Sequence, residues 1–523
     1  MEPEEAISLA KQLLRKRIRD REENFLNLAE RGIFHHSRSP YRPLLDARHI
    51  DFADLRSWVT RDGLEASLAR LREAGVYFTV DEFKGKTPVR RHGVDFLCEE
   101  SMFDNPHLSY VYEVRSGATR SAGTRIRIDF EYLHQRSLYD AFLLHTHGCL
   151  TAPIANWFPV FPGAPGINSS LRFAHIGNPV RRWFSQVSED QVRVNWEKRW
   201  GTKTIFAVHR LFGVPLAEPE FAGVNDAYKV ALWAARALEE NPHCVVYTFA
   251  AAAVRVCIAA AEANLKLNGA KFLVTGEPLT EQKRLEIEAA GATAIPVYGI
   301  SEAGVIAAGC DEPHGPSDHC HLYKDTMAMI THSQSIPNFD ITLEPYLFTT
   351  LLFESPKLLL NVGMGDFGDL AVEPCDCAYG AMGFDTMLGN IRSYEKLTGE
   401  GVTFVDTDFM QIIERELPAL FGGRSTDYQL IEAEDSRGLP RLELRVSPRV
   451  GAVDEHAVRD RFLTLLRHGE RSPESWAQSG VEMWKQSGTL QIKRSDPLST
   501  ASGKILPFYL EKTKSMIEVA SVR

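Results

Sequence analysis

This sequence predicts an α/β protein in two parts: a large N-terminal domain with a parallel-sheet α/β core, and a small, mobile α+β domain at the C-terminus. Three observations carry that prediction. KFLVTG (271–276) reads as a buried strand, 279–291 as an amphipathic helix closed by Gly291, and ATAIPVYG (292–299) as the next strand. Strand–helix–strand order joins parallel neighbours of one sheet, whose ligands sit beyond the carboxyl ends of the strands. A second apolar run, VVYTFA (245–250), leads into an Ala- and Val-rich stretch that reads as a buried helix. Late in the chain the pattern changes to alternating strands such as LELRVS (442–447) and a helix at 454–468, which suits a smaller sheet.

The remaining elements follow in order. Residues 4–30 form an amphipathic pattern rich in Arg, Lys and Glu, either a solvated helix packed on the body or a membrane-surface helix. Helical periodicity governs 64–74, with Gly75 as its stop, and returns at 131–144 and 226–239. Between these, 109–114 is β-prone and runs into the small polar stretch RSGATRSAGT. A polar, Gly-rich segment at 390–400 marks a boundary, giving a large domain over 1–393, with 1–105 as a helical lead-in, and a small one over 394–523. A length of 523 residues allows two to four units at about 150 residues each.

Composition excludes several classes. A net charge of −10 argues against a general nucleic-acid binder. No segment reaches the roughly 18 apolar residues of a membrane helix. The acidic start MEPEEAIS lacks a secretory pattern. Eight cysteines in so long a chain are no disulfide framework, and Cys98, Cys149, Cys244 and Cys257 read as small core residues. The expected compartment is the reducing cytoplasm.

The chemistry concentrates at strand ends. In YGISEAG (298–304), Tyr298 offers a flat face for a purine, Gly299 permits close approach of backbone, Ser301 supplies a hydroxyl, and Glu302 is a hard oxygen ligand for Mg²⁺. Gly276, Glu277 and Pro278 occupy the turn after the preceding strand. The run from Ser116 and Gly117 through Thr119 can turn backbone N–H groups and hydroxyls toward phosphate, or be an ordinary flexible turn. Arg115, Arg120 and Arg125 beside it suit an anion. Asp366, after the apolar run LLLNV, can accept both hydroxyls of a ribose or be a turn residue, with Asp369 as a competitor. Lys504 follows the mobile run STASG, where it either neutralises charge developing between a carboxylate and an α-phosphate or is solvated surface.

In their order and rough spacing these pieces resemble the acyl-adenylate-forming superfamily. Within it the chain most resembles the phenylacetate–CoA ligase-like branch, which includes acyl-protein synthetase-like members. The resemblance runs from about residue 109 to 512. It implies that YGISEAG binds adenine and magnesium and that Asp366 binds ribose. It further implies that Arg392 contacts the nucleotide, that Tyr394 and Glu395 form the pivot between domains, and that Lys504 is the catalytic lysine. The activity implied has two half-reactions: carboxylate plus ATP gives acyl-AMP and pyrophosphate, and a nucleophile then takes the acyl group. The small domain rotates between them, so Lys504 serves only the first. One departure stands out: family loops commonly read like TSGSTGKPK, whereas Arg120 follows Thr119 here and no Lys comes at the matching place.

Cys310, His321, Cys375 and Cys377 are candidates for a Cys₃His zinc site, with His314, His319 and Cys320 as rival ligands and a reduced, metal-free cluster as the alternative. The branch often carries a similar set. Candidate linings of the acyl pocket are 145–150, 156–163, 175–179 and 247–252, with His147 either near the carboxylate or packed in the core. Aromatic lining suits a flat or apolar acid. CoA is the first-choice acceptor; a protein thiol, a carrier protein or an amine needs the same first half-reaction. The resemblance leaves room for a homodimer. A reading of another class is a non-catalytic nucleotide-binding scaffold or regulatory subunit, which the altered phosphate loop favours and the presence of Glu302, Asp366 and Lys504 opposes.

Overall fold

The computed structural model describes residues 1–108, 112–115, 125–160, 165–187, 216–312, 314–336, 341–393, 396–399, 402–405, 412–467, 476–498 and 508–510. At its centre is a twelve-stranded mixed sheet. One half is parallel, in the spatial order Thr293–Ile300, Ala270–Thr275, Cys244–Phe249, Ile154–Trp157, Arg182–Ser185 and Pro219–Phe221. All six residues of Cys244–Phe249 are buried, as expected for a strand covered on both faces. The Ala-rich helix Ala250–Glu262 follows it directly, and the short side chains let helix and sheet approach closely. Helix Glu281–Ala289 starts where the Thr280 hydroxyl accepts the Lys283 N–H.

The other half of the sheet is antiparallel, and here the structure adds to the parallel core that the sequence predicts. Outward from Thr293–Ile300 come Gly304–Ala308, Cys320–Leu322, Thr386–Ser393, Val362–Val372, Pro345–Thr350 and Met327–Thr331. Strand direction is invisible in a short apolar run such as Pro345–Thr350, which is buried throughout.

The N-terminal pattern is two helices, Pro3–Arg19 and Arg21–Ala29, rather than one. They part at Asp20, whose carboxylate takes ion pairs from Lys16 and Arg19 and whose backbone leaves the helical region. Ala6, Ala10, Leu14 and Arg17 are buried at helical spacing, and this face packs on helix Phe130–Thr146. Among the described residues no helix is long and apolar enough to cross a membrane.

Beyond Ser393 a separate four-stranded sheet forms in the order Leu490–Arg494, Pro440–Val446, Tyr428–Glu434, Phe508–Leu510. Pro440–Val446 alternates buried and half-buried residues; helix Glu455–Arg467 packs on the neighbouring strand Leu490–Arg494 and against helix Trp476–Ser487. This sheet is tied to the large one through Lys283, which is 3% exposed and lies 3.1 Å from Glu434 and 3.6 Å from Glu277. Glu434 also accepts the Thr280 hydroxyl at 2.9 Å. A second tie runs from Gln486, whose side-chain oxygen accepts the Val224 N–H.

Candidate functional site

The strand Thr293–Ile300 ends in the 301–303 turn and returns as Gly304–Ala308, with a bulge between Tyr298 and Gly299. Gly304 has φ +73°, and a Cβ there would lie 2.4 Å from the Tyr132 hydroxyl. That hydroxyl donates to the Ala303 carbonyl at 2.9 Å, so helix Phe130–Thr146 clamps the turn from behind. Glu302 is 7% exposed and takes no hydrogen bond from any described residue. A buried carboxylate left in that state fits a hard cation such as Mg²⁺.

Two motifs far apart in sequence meet here. The Tyr298 hydroxyl donates to the Asp366 carboxylate at 3.0 Å, and burial, then Asp366, pushes the phenol well above its ordinary range. It therefore stays a donor. Asp366 lies on Val362–Val372 and is buried. Asp369, its competitor, instead accepts the Asn390 side chain at 2.6 Å in a more exposed position.

Arg392 stands opposite Phe367 in the adjoining strand, next to the Asp366–Ser393 pair. Asp318 holds it there. Pairing between Cys320–Leu322 and Thr386–Ser393 stops at Cys320 and Leu388. Past that point the Asp318 carboxylate accepts the Asn390 N–H at 2.8 Å, the Ile391 N–H at 2.9 Å and the Arg392 guanidinium at 3.0 Å. Nothing in the sequence singled out Asp318, because an Asp between Ser and His reads as a turn residue.

The GEP turn behaves differently from its motif. Gly276 and Pro278 sit at the strand end, but the Glu277 side chain is 1% exposed, accepts the Ala251 N–H at 3.1 Å and faces Lys283. Its carboxylate serves the junction of the two sheets, leaving backbone atoms as the part of the turn open to a nucleotide. Ser116, Gly117, Thr119, Tyr394, Glu395 and Lys504 lie outside the described residues. His147 is half-buried and bonds the Gly309 carbonyl at 3.0 Å, and burial lowers its pKa. Of the candidate acyl-pocket aromatics, Trp157, Phe158, Tyr247 and Phe249 are buried, and Phe158 packs edge-on against Tyr247 and Phe249. A small cleft instead opens beside Ala303, between the first helix and the sheet, lined by Arg17, Tyr132, Arg136, Met327 and Glu354.

The donor atoms of Cys310, His321, Cys375 and Cys377 all lie within 4.8 Å of one another. His321 is fully buried, and its Nδ1–H donates to the Phe384 carbonyl at 2.6 Å, which turns Nε2 to Cys377 Sγ at 3.2 Å. The Cys310 thiol and then His321 hold the Cys377 sulfur far below the usual thiol range, while Cys310 itself is raised. Three sulfurs and one oriented imidazole make a donor set that fits Zn²⁺. Cys320 takes no part; its thiol donates to the Asp318 carbonyl.

No family model and no curated protein matches the chain. Solved structures do match. A 2-hydroxyisobutyryl-CoA ligase, captured with 2-HIB-AMP and CoA in its thioesterification state, superposes with a TM-score of 0.56 at 13% identity, over 97% of this chain and 93% of that one. A malonyl-CoA ligase with methylmalonyl-CoA and AMP bound gives 0.40 at 10% identity, over 86% of this chain and 95% of that one. An anthranilate CoA ligase, AuaEII, with anthranoyl-AMP gives 0.32 at 12% identity, over 79% and 68%. The first superposition, spanning nearly the whole of both chains, gives this protein the fold of that CoA ligase.

Proposed function

We propose that this chain is an ATP-dependent, AMP-forming ligase. It converts a carboxylic acid to its acyl adenylate with release of pyrophosphate, then passes the acyl group to a thiol, CoA by first choice. The observation that carries the reading is the Tyr298–Asp366 hydrogen bond. It joins an adenine-type turn and a ribose-type carboxylate from two interior strands of the large sheet, on a fold shared with a CoA ligase. In this reading Asp366 accepts the ribose hydroxyls, Tyr298 flanks the base, Arg392 contacts the nucleotide, and Glu302 holds Mg²⁺. Lys504 neutralises charge at the α-phosphate during adenylation. Ser116, Gly117 and Thr119 grip phosphate with help from neighbouring arginines. Zn²⁺ in the Cys₃His set staples the segment after YGISEAG to the segment after Asp366; four protein ligands leave it no catalytic position. Unoxidised thiols there suit the cytoplasm.

The test is pyrophosphate release across a panel of carboxylic acids, with hydroxylamine trapping and with or without CoA. Acid-dependent release with hydroxamate formation is expected, and faster turnover with CoA. Tight ATP binding with no turnover on any acid would favour a non-catalytic nucleotide-binding protein. Turnover indifferent to CoA would move the acceptor to a carrier protein, a protein thiol or an amine.

A further inference from the structure

Beside the thiolate cluster lies a second donor set that the cluster does not use. His314, His319 and Glu373 bring two imidazole nitrogens and a carboxylate oxygen within 4.8 Å of one another. His314 Nδ1–H donates to the Glu312 carbonyl at 2.8 Å, which leaves the ring's lone pair on Nε2. His319 Nε2 stands 3.8 Å from the Glu373 carboxylate. The two rings meet edge to face, with centroids 4.8 Å apart. Gly315 makes this possible: its φ is +73°, and a Cβ there would sit 3.4 Å from His319 Nδ1. The Glu373 N–H is fixed on the Asp385 carbonyl at 2.8 Å, so the third donor also leaves a defined backbone.

We propose that His314, His319 and Glu373 form a second, exchangeable site for a zinc-class divalent cation. Hydrogen bonding to backbone on the non-ligating side of a histidine is how metal-binding imidazoles are aimed. Two imidazoles and one carboxylate suit Zn²⁺ and its neighbours rather than Ca²⁺. Three protein donors leave at least one position for water or a ligand oxygen, and the exposure of His314, with His319 and Glu373 half-buried, makes the ion labile. The same turn carries Asp318, so occupancy stiffens the support of Arg392. The site stands on its own donors and does not depend on the ligase reading.

Equilibrium dialysis of the full chain against Zn²⁺ tests it, with Co²⁺ absorption to separate thiolate from nitrogen–oxygen ligation. The wild type is expected to retain one metal equivalent through mild chelation and to bind a further one reversibly. Glu373→Ala and His314→Ala/His319→Ala should each lose the reversible equivalent while keeping the thiolate charge-transfer band. Cys377→Ala should lose that band and keep a Co²⁺ spectrum dependent on His314. Circular dichroism checks that each variant is folded. Absence of a reversible equivalent in the wild type, or its persistence in Glu373→Ala and in the double variant, overturns the proposal.

Discussion

Asp318 is a buried carboxylate with three donors, and together they fix the direction of Arg392. Where Cys320–Leu322 stops pairing, the side chain takes over the two exposed N–H groups of the longer strand and then captures the guanidinium. A hydrogen bond to a charged partner contributes about 1.5–3 kcal/mol, so Asp318→Asn is expected to raise KM for ATP about tenfold with a smaller effect on kcat. In an Arg392→Ala background the same change should add little, because Asp318 acts through Arg392 as a positioning residue. Steady-state kinetics of the two single variants and the double variant check this; independent, additive losses would contradict it. Tyr298, Asp366 and Glu302 stand out in the sequence because each sits in a short stretch whose residue types suit a nucleotide, and the structure brings the first two into contact. Asp318 was not legible, since its partners come from a strand some seventy residues later.

At the scale of elements, Lys283 is one of the ties between the two sheets. Lys283 opens helix Glu281–Ala289 and is held by Glu277 on its own turn and Glu434 on the C-terminal sheet. Burial works against its charge, yet the two carboxylates more than offset this, and its pKa is raised. A lysine whose folded value exceeds its unfolded value stabilises fully below the unfolded value, roughly 10.4, and loses that contribution as pH rises through the folded value. Removing the cation takes one positive charge away from two carboxylates, Glu277 and Glu434. Lys283→Met should therefore cost about 3–5 kcal/mol in urea denaturation. It should also flatten the loss of stability expected in the wild type above pH about 10. A variant as stable as wild type, with an unchanged alkaline limb, would remove Lys283 from this role. The helix and both flanking strands were readable from periodicity. That Glu277 points inward was not, because a GEP turn looks the same whether its carboxylate faces a ligand or a lysine.

Across the whole molecule, the parallel half of the sheet was visible from its strand–helix–strand order, and the antiparallel half was not, since buried runs carry no sign of direction. The division at 393 and 394 is a proposal that joins two observations. The large sheet ends at Ser393, and the four-stranded sheet begins at Tyr428 and is tied to the large one through Lys283 and Gln486. Rotation of the small domain would have to release Glu434 from Lys283 while Glu277 stays in place. The two half-reactions should then be separable by one side chain. The most direct measurement follows acid-dependent exchange of labelled pyrophosphate into ATP alongside thioester formation from synthetic acyl-AMP, in wild type and in Lys504→Ala. The account predicts exchange in the wild type, its near-abolition in Lys504→Ala, and thioester formation nearly intact in both. No acid-dependent exchange in the wild type, or equal loss of both steps in the variant, would contradict it.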